Sequence, residues 1–188
     1  MLKSVFLTGV GGQGVVTIAN LLSAHLQDSG YKVTLIHATG MAQRGGRVTS
    51  EIRYSDDRDR PFGPRISSGG ADYIIGMDMA ETVNSASFLK AGGTLVFQNY
   101  TLLPSTAVLN KESFPDAEEV KRVFAPFTGN LVEVEPSVRP VNMFVLGVFA
   151  RYWPEAERLE ETLSKKLTKR VEENLTAFHR GRDYRTEA

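Results

Sequence analysis

The sequence predicts a three-layer α/β/α fold, Rossmann-like, on a mostly parallel sheet with a C-terminal amphipathic helix. Three observations carry that expectation. A short apolar run, a glycine-rich turn and a helical pattern follow one another at the N-terminus, with a second strand directly after. Short apolar runs then keep alternating with helical patterns, as in an α/β domain. A charged segment over 155–179 finally carries apolar residues at helical spacing. The expected organisation is one α/β domain over 1–152 and a helical extension over 153–188 packed on that same domain.

Val5, Phe6 and Leu7 form the first strand. Gly9, Gly11, Gly12 and Gly14 follow, and Val15, Ile18, Ala19, Leu22 and Leu26 then recur at helical spacing. Gly9-Val10-Gly11-Gly12-Gln13-Gly14 fits G-x-G-x-x-G between a strand and a helix, the context that motif requires. Glycine permits positive φ and close backbone approach. The first amides of the helix lack internal partners and favour an anion. Gly9, Gly11, Gly12, Gln13 and Gly14 are therefore candidates for contact with a phosphate-bearing group or a partner chain. A loop that only packs strand against helix gives the same pattern. Gly30 ends the helix, and 31–36 forms the second strand, parallel to the first through a right-handed crossover.

The loop over 37–46, HATGMAQRGG, lies beyond the carboxyl end of the second strand, the edge where open α/β sheets hold ligands and partners. Over 47–54, Val48, Ser50, Ile52 and Tyr54 alternate with Arg47, Thr49, Glu51 and Arg53, which predicts a half-exposed strand. Few residues separate it from the second strand, so antiparallel pairing would make the sheet mixed. A solvated turn over 55–65 precedes a buried strand over 71–76. A helix is expected over 79–90, stopped by Ala91-Gly92-Gly93, with strands over 94–98 and 106–109. Pro115 and Asp116 start a helix within 114–127, and 131–134 is the last strand. The segment 141–152 is apolar nearly all round, as in a helix buried on most sides or meeting a partner. Gly147 in its middle costs about 1 kcal/mol of helix propensity against alanine, which a close backbone contact would offset. The segment 155–179 reads as one helix with Leu159, Leu163, Leu167, Val171, Leu175 and Phe178 on its stripe, and 181–188 as frayed.

Composition excludes several functions. Lys plus Arg equals Asp plus Glu at 22 each, which argues against a general nucleic-acid binder. There is no cysteine, so disulfides, thiolate zinc sites, cysteine nucleophiles and ordinary iron–sulfur ligation are excluded. The apolar run after Lys3 is too short for a signal peptide, and 143–150 is too short to span a bilayer. The expectation is a cytoplasmic protein with no membrane partner.

His25, His37 and His179 share no metal-ligand spacing, so no metal site is expected. His25 and His179 read as surface or edge residues of helices, whereas His37 stands at the ligand edge and is a candidate. No serine sits in a G-x-S-x-G elbow. Asp78 and Glu81 read as capping and dipole partners of a helix start. Arg44 and Arg47 flank Gly45-Gly46, as an anion clamp or as a subunit contact. A dinucleotide site wants an acidic residue about 20 residues after the glycines, and His37, Ala38 and Thr39 stand there instead. No residue is assigned a catalytic role.

Six stretches taken together point to a family: GVGGQG over 9–14, GMAQRGGRV over 40–48, Glu51-Ile52-Arg53, Ala71-Asp72, LKAGGT over 89–94 and NMFVLG over 142–147. In this order, over residues 3–150, the chain resembles the gamma-type subunit of 2-oxoacid:ferredoxin oxidoreductases, called beta in the indolepyruvate enzymes. MAQRGG is similar to the indolepyruvate branch. The resemblance implies oxidative decarboxylation of a 2-oxoacid to acyl-CoA, using thiamine diphosphate, iron–sulfur clusters and coenzyme A. It also implies that this chain binds none of these alone, since it has neither cysteine nor a Gly-Asp-Gly thiamine motif. The catalytic parts would belong to a larger subunit, with ferredoxin met indirectly; a homodimer of the isolated chain is also allowed. His37, Met41, Gln43, Arg44, Gly45 and Gly46 become candidates for substrate or subunit contact. The alternative reading is a stand-alone nicotinamide- or flavin-binding oxidoreductase.

Overall fold

A computed structural model of the chain describes residues 1–40, 46–103 and 113–185. The elements in order are β1 (Leu2–Val10), α1 (Val15–Asp28), β2 (Lys32–Thr39), β3 (Arg47–Ser55), β4 (Ala71–Gly76), α2 (Met79–Val83), β5 (Leu89–Gln98), α3 (Ala117–Phe124), β6 (Thr128–Val134), α4 (Val141–Ala150), α5 (Leu159–Lys166) and α6 (Val171–Arg182). The strands form one sheet in the order β2-β3-β1-β4-β5-β6. β1, β4, β5 and β6 pair in parallel. β3 runs antiparallel to both of its neighbours, β1 and β2. The mixed sheet follows from the short 37–46 connection, which is too short for a helical crossover.

The sheet is apolar on both faces, because successive side chains of β1 point to opposite sides. Val5 and Leu7 join Ile18, Leu22, Phe144, Phe149, Leu163 and Phe178 under α1 and the C-terminal helices. Phe6 joins Ile74, Leu95, Phe97, Met79, Val120 and Phe124 under α2 and α3.

Several expectations change. β3 is not half-exposed: Thr49, Ser50, Glu51 and Ile52 are all buried, because α1 covers one face of the strand and the 63–66 segment, bonded to Glu51 and Arg53, covers the other. Its alternation separates two covered faces, not core from solvent. The first two strands run in the same direction but do not touch. The helix expected over 79–90 stops at Val83; a single 3₁₀ turn follows, and β5 begins at Leu89. The strand expected over 106–109 lies outside the described residues.

The C-terminal helix is two helices. α5 ends at Lys166, and Arg170 caps α6 with φ 49°, a left-handed break that no continuous helix accommodates. Residues 181 and 182 are not frayed: they belong to α6, and Gly181 is buried. Gly147 meets the backbone contact expected for it. A Cβ there would stand 2.0 Å from the Phe178 carbonyl oxygen, with Gly181 Cα at 3.0 Å. His25 is also not a surface residue. It is buried, with Nε2 2.7 Å from the Glu155 carbonyl and Nδ1 3.0 Å from Thr162 Oγ1. A carbonyl only accepts, so Nε2 carries the proton and donates.

Candidate functional site

The candidate glycines lie where β1 hands over to α1, at the carboxyl edge of the parallel strands. Gly12 and Gly14 have φ of 98° and 82°, in the left-handed region that disfavours a Cβ. Gly9 allows close approach: a Cβ would come within 2.9 Å of Met77 Cβ and 2.6 Å of Gln13 Oε1. Gln13 folds back over the turn, and its Oε1 accepts from Val10 N at 2.9 Å. Its Nε2 is buried with no partner among the described residues.

Gly11 N donates to the Gly46 carbonyl at 3.0 Å, joining the glycine turn to the end of the second motif. Met41, Gln43, Arg44 and Gly45 lie outside the described residues. His37 is not brought to the turn. It is exposed on the outermost strand, with Nδ1 2.7 Å from Ser50 Oγ.

Beside the turn is a cleft of about 500 Å³ on which three helix N-termini converge. Gly12, Gln13 and Gly14 bring α1, Arg139 to Asn142 bring α4, and Arg170 and Glu173 bring α6. Neither α1 nor α4 has a side-chain cap or an acidic residue in its first turn. Their free amides and dipoles therefore favour a negative group. Arg139 and Arg170 add two guanidinium groups, with Glu173 3.8 Å from Arg170. Gln98 also lines the cleft and is only 8% exposed. The arrangement can hold a phosphate or carboxylate. Sequence reasoning missed Gln98, Arg139 and Arg170. Of the α4 and α6 lining only Asn142 stood in a quoted motif, and those helices reach the cleft through tertiary packing.

On the other side of the turn, Asp78 caps α2, accepting from Glu81 N at 3.2 Å, and also accepts from Leu102 N at 2.8 Å. The capping expected of Asp78 is therefore present. Glu81 pairs with Arg47 Nε at 3.0 Å. Burial raises the Glu81 carboxyl above the ordinary carboxylate range, Arg47 opposes that shift, and the charge of Asp78 adds to it. Tyr100, Leu102 and Leu103 form an exposed apolar rim nearby.

The dinucleotide reading fails on geometry. β3 separates β2 from β1, so the end of β2 stands two strand spacings, about 10 Å, from the strand that feeds the glycine turn. Among the described residues no group of three His, Cys, Asp or Glu side chains is placed to hold a metal ion, and no helix is long and apolar enough to cross a membrane.

A family model described as pyruvate ferredoxin/flavodoxin oxidoreductase matches residues 4–184. The chain belongs to that family. Indolepyruvate oxidoreductase subunit IorB of Pyrococcus horikoshii is 32% identical to it over 192 residues, covering 95% of this chain and 93% of that one. The crystal structure of pyruvate oxidoreductase subunit PORC from Thermotoga maritima matches with a TM-score of 0.69 at 17% identity, over 97% of this chain and 96% of that one. A 2-oxoglutarate:ferredoxin oxidoreductase from Magnetococcus marinus, with 2-oxoglutarate, coenzyme A and succinyl-CoA bound, matches with a TM-score of 0.67 at 18% identity, over 97% of this chain but 30% of that one. The α/β architecture is thus the family's fold, and the identification from the glycine and RGG motifs stands. Family membership makes the chain an oxidoreductase subunit and leaves the stand-alone nicotinamide or flavin enzyme without support.

Proposed function

We propose that this chain is the cluster-free subunit of an indolepyruvate-like 2-oxoacid:ferredoxin oxidoreductase and works only beside a larger catalytic subunit. The observation that supports the reading is the hydrogen bond from Gly11 N to the Gly46 carbonyl, which ties the glycine turn to the described end of the second family motif. In the assembled enzyme, thiamine diphosphate supplies the decarboxylation, iron–sulfur clusters pass electrons to ferredoxin, and coenzyme A takes the acyl group. The absence of cysteine does not fit cluster ligation by this chain, so the clusters belong to the partner. The cleft does fit a phosphate, because its uncapped helix ends and two arginines favour an anion, with Glu173 beside Arg170 the one opposing charge among the described lining residues.

The chain's own work is to bind and to orient. Gly12 and Gly14 give a phosphate-bearing group access to the α1 amides, while Arg139 and Arg170 balance its charge. The exposed Tyr100, Leu102 and Leu103 rim is the docking edge for the larger subunit in this reading, and Met41, Gln43, Arg44, Gly45 and Gly46 are its proposed contacts by motif. A cytoplasmic setting accompanies this reading. The test is the double variant Arg139→Ala/Arg170→Ala in the reconstituted enzyme. A KM for coenzyme A raised at least about tenfold, with thiamine diphosphate retained, assigns the cleft to coenzyme A. Loss of thiamine diphosphate assigns it to that cofactor. No change in either refutes the anion role.

A further inference from the structure

The glycine turn, the base of the 40–46 loop and the segment after β5 come from three distant parts of the sequence. Each is fastened to α2 or to the Met77-Asp78 pair that leads into it. Met77 N donates to the Thr8 carbonyl at 2.8 Å, and Met79 N to the Tyr100 carbonyl at 2.9 Å. Asp78, 1% exposed, takes the Leu102 amide. Arg47 opens β3 opposite Val10, and its carbonyl accepts from Gly40 N at 2.7 Å. Its guanidinium turns to α2, with Nε 3.0 Å from Glu81 Oε2 and Nη2 3.4 Å from Ser85 Oγ. Capping does not account for this: Asp78 is the cap of α2, and the Glu81 side chain points instead to the base of the loop.

We propose that Glu81, acting through Arg47, is a positioning residue that holds the base of the 40–46 loop against the glycine turn. The role rests on the reading of this edge as the docking and ligand surface. The charged groups facing Glu81 are Arg47 from β3 and Asp78 from its own helix. Burial, with the Asp78 charge adding to it against the pull of Arg47, makes Glu81 take up a proton more readily than an ordinary carboxyl. Protonation removes the charge that holds Arg47, so the tie loosens as pH falls through that raised value.

Amide hydrogen exchange of Gly11 and Gly40 in the full-length isolated chain reads the tie directly, because these amides donate to Gly46 and Arg47. Glu81→Gln should raise their exchange at neutral pH about tenfold while the melting temperature does not fall. Arg47→Met should match it, and Arg47→Lys should restore most of the protection. After correction for intrinsic exchange, the wild type should lose protection on acidification in a step that Glu81→Gln lacks. In the enzyme reconstituted with the larger subunit, Glu81→Gln should weaken assembly several-fold and leave kcat of the assembled fraction unchanged. Unchanged exchange at Gly11 and Gly40, or an acid step that persists in Glu81→Gln, would overturn the positioning role. Wild-type chain that fails to turn over with the larger subunit would overturn the functional reading and leave the tie standing.

Discussion

Gly14→Ala is expected to destabilise the isolated chain more than Gly12→Ala, for a reason that can be separated experimentally. Both residues sit at positive φ, 82° and 98°. An L-residue in the left-handed region costs about 1–2 kcal/mol. At Gly12 nothing stands within 4 Å of an added Cβ, so that cost is the whole effect. At Gly14 the Cβ would lie 2.4 Å from Asn142 Nδ2, 2.9 Å from its Cγ and 3.0 Å from its Cβ. Either Asn142 leaves its rotamer or α4 recedes, and overpacking of that kind adds about 1–3 kcal/mol. The total is roughly 2–5 kcal/mol, or about 4–20 °C in melting temperature for a chain of this size. Urea titration at constant m-value measures both variants. In an Asn142→Ala background, Gly14→Ala should shrink toward the cost of Gly12→Ala, since the two nearest contacts are gone; the difference is their coupling energy. Equal effects of the two glycine variants, or no coupling with Asn142, would refute the reasoning.

Other outcomes follow from the same geometry. Gly147→Ala should destabilise by about 1–3 kcal/mol despite the gain of about 1 kcal/mol in helix propensity, because the obstructing atom is the Phe178 backbone carbonyl; calorimetry of the variant reads the sign. Glu81 has a raised folded-state pKa. Its protonated form therefore favours the fold fully below the unfolded pKa, and that contribution is lost as pH rises through the folded value. Glu81→Gln should accordingly be no less stable than wild type at neutral pH, and their difference should narrow on acidification; denaturant midpoints across the acid range check it. Neither NAD(H) nor NADP(H) should bind tightly, and calorimetry showing micromolar affinity would contradict the two-strand displacement of β2.

Much of this was legible where the chain determines its own local structure. Gly12 and Gly14 mark a strand-to-helix turn because their positive φ values favour glycine over residues with a Cβ. The direction of β3 followed from a loop too short for a crossover. What the sequence hid depends on neighbours. The alternation of β3 looks like one exposed face, yet both faces are covered, one by α1 and the other by the 63–66 segment that bonds Glu51 and Arg53. His25 stands seven residues after Ile18 and three after Leu22, on the apolar stripe of α1, so helical spacing did point to its burial; what stayed hidden is its partners Glu155 and Thr162, which lie far along the chain. The stripe from Leu159 to Phe178 keeps helical period across the left-handed Arg170, so periodicity alone joined two helices. The cleft was hidden for the same reason: Gln98, Arg139 and Arg170 meet only after β5, α4 and α6 pack.

The central claim is that this chain contributes a docking and positioning surface to chemistry carried by another subunit. Reconstitution tests it most directly. Purified chain, larger subunit and their mixture would each be assayed with indolepyruvate, coenzyme A and a viologen acceptor. The account predicts no turnover by the chain alone, coenzyme A-dependent reduction by the mixture, and a marked loss with Arg44→Ala at unchanged melting temperature of the isolated chain. Turnover by the chain alone, or full activity of the mixture with Arg44→Ala, would contradict it.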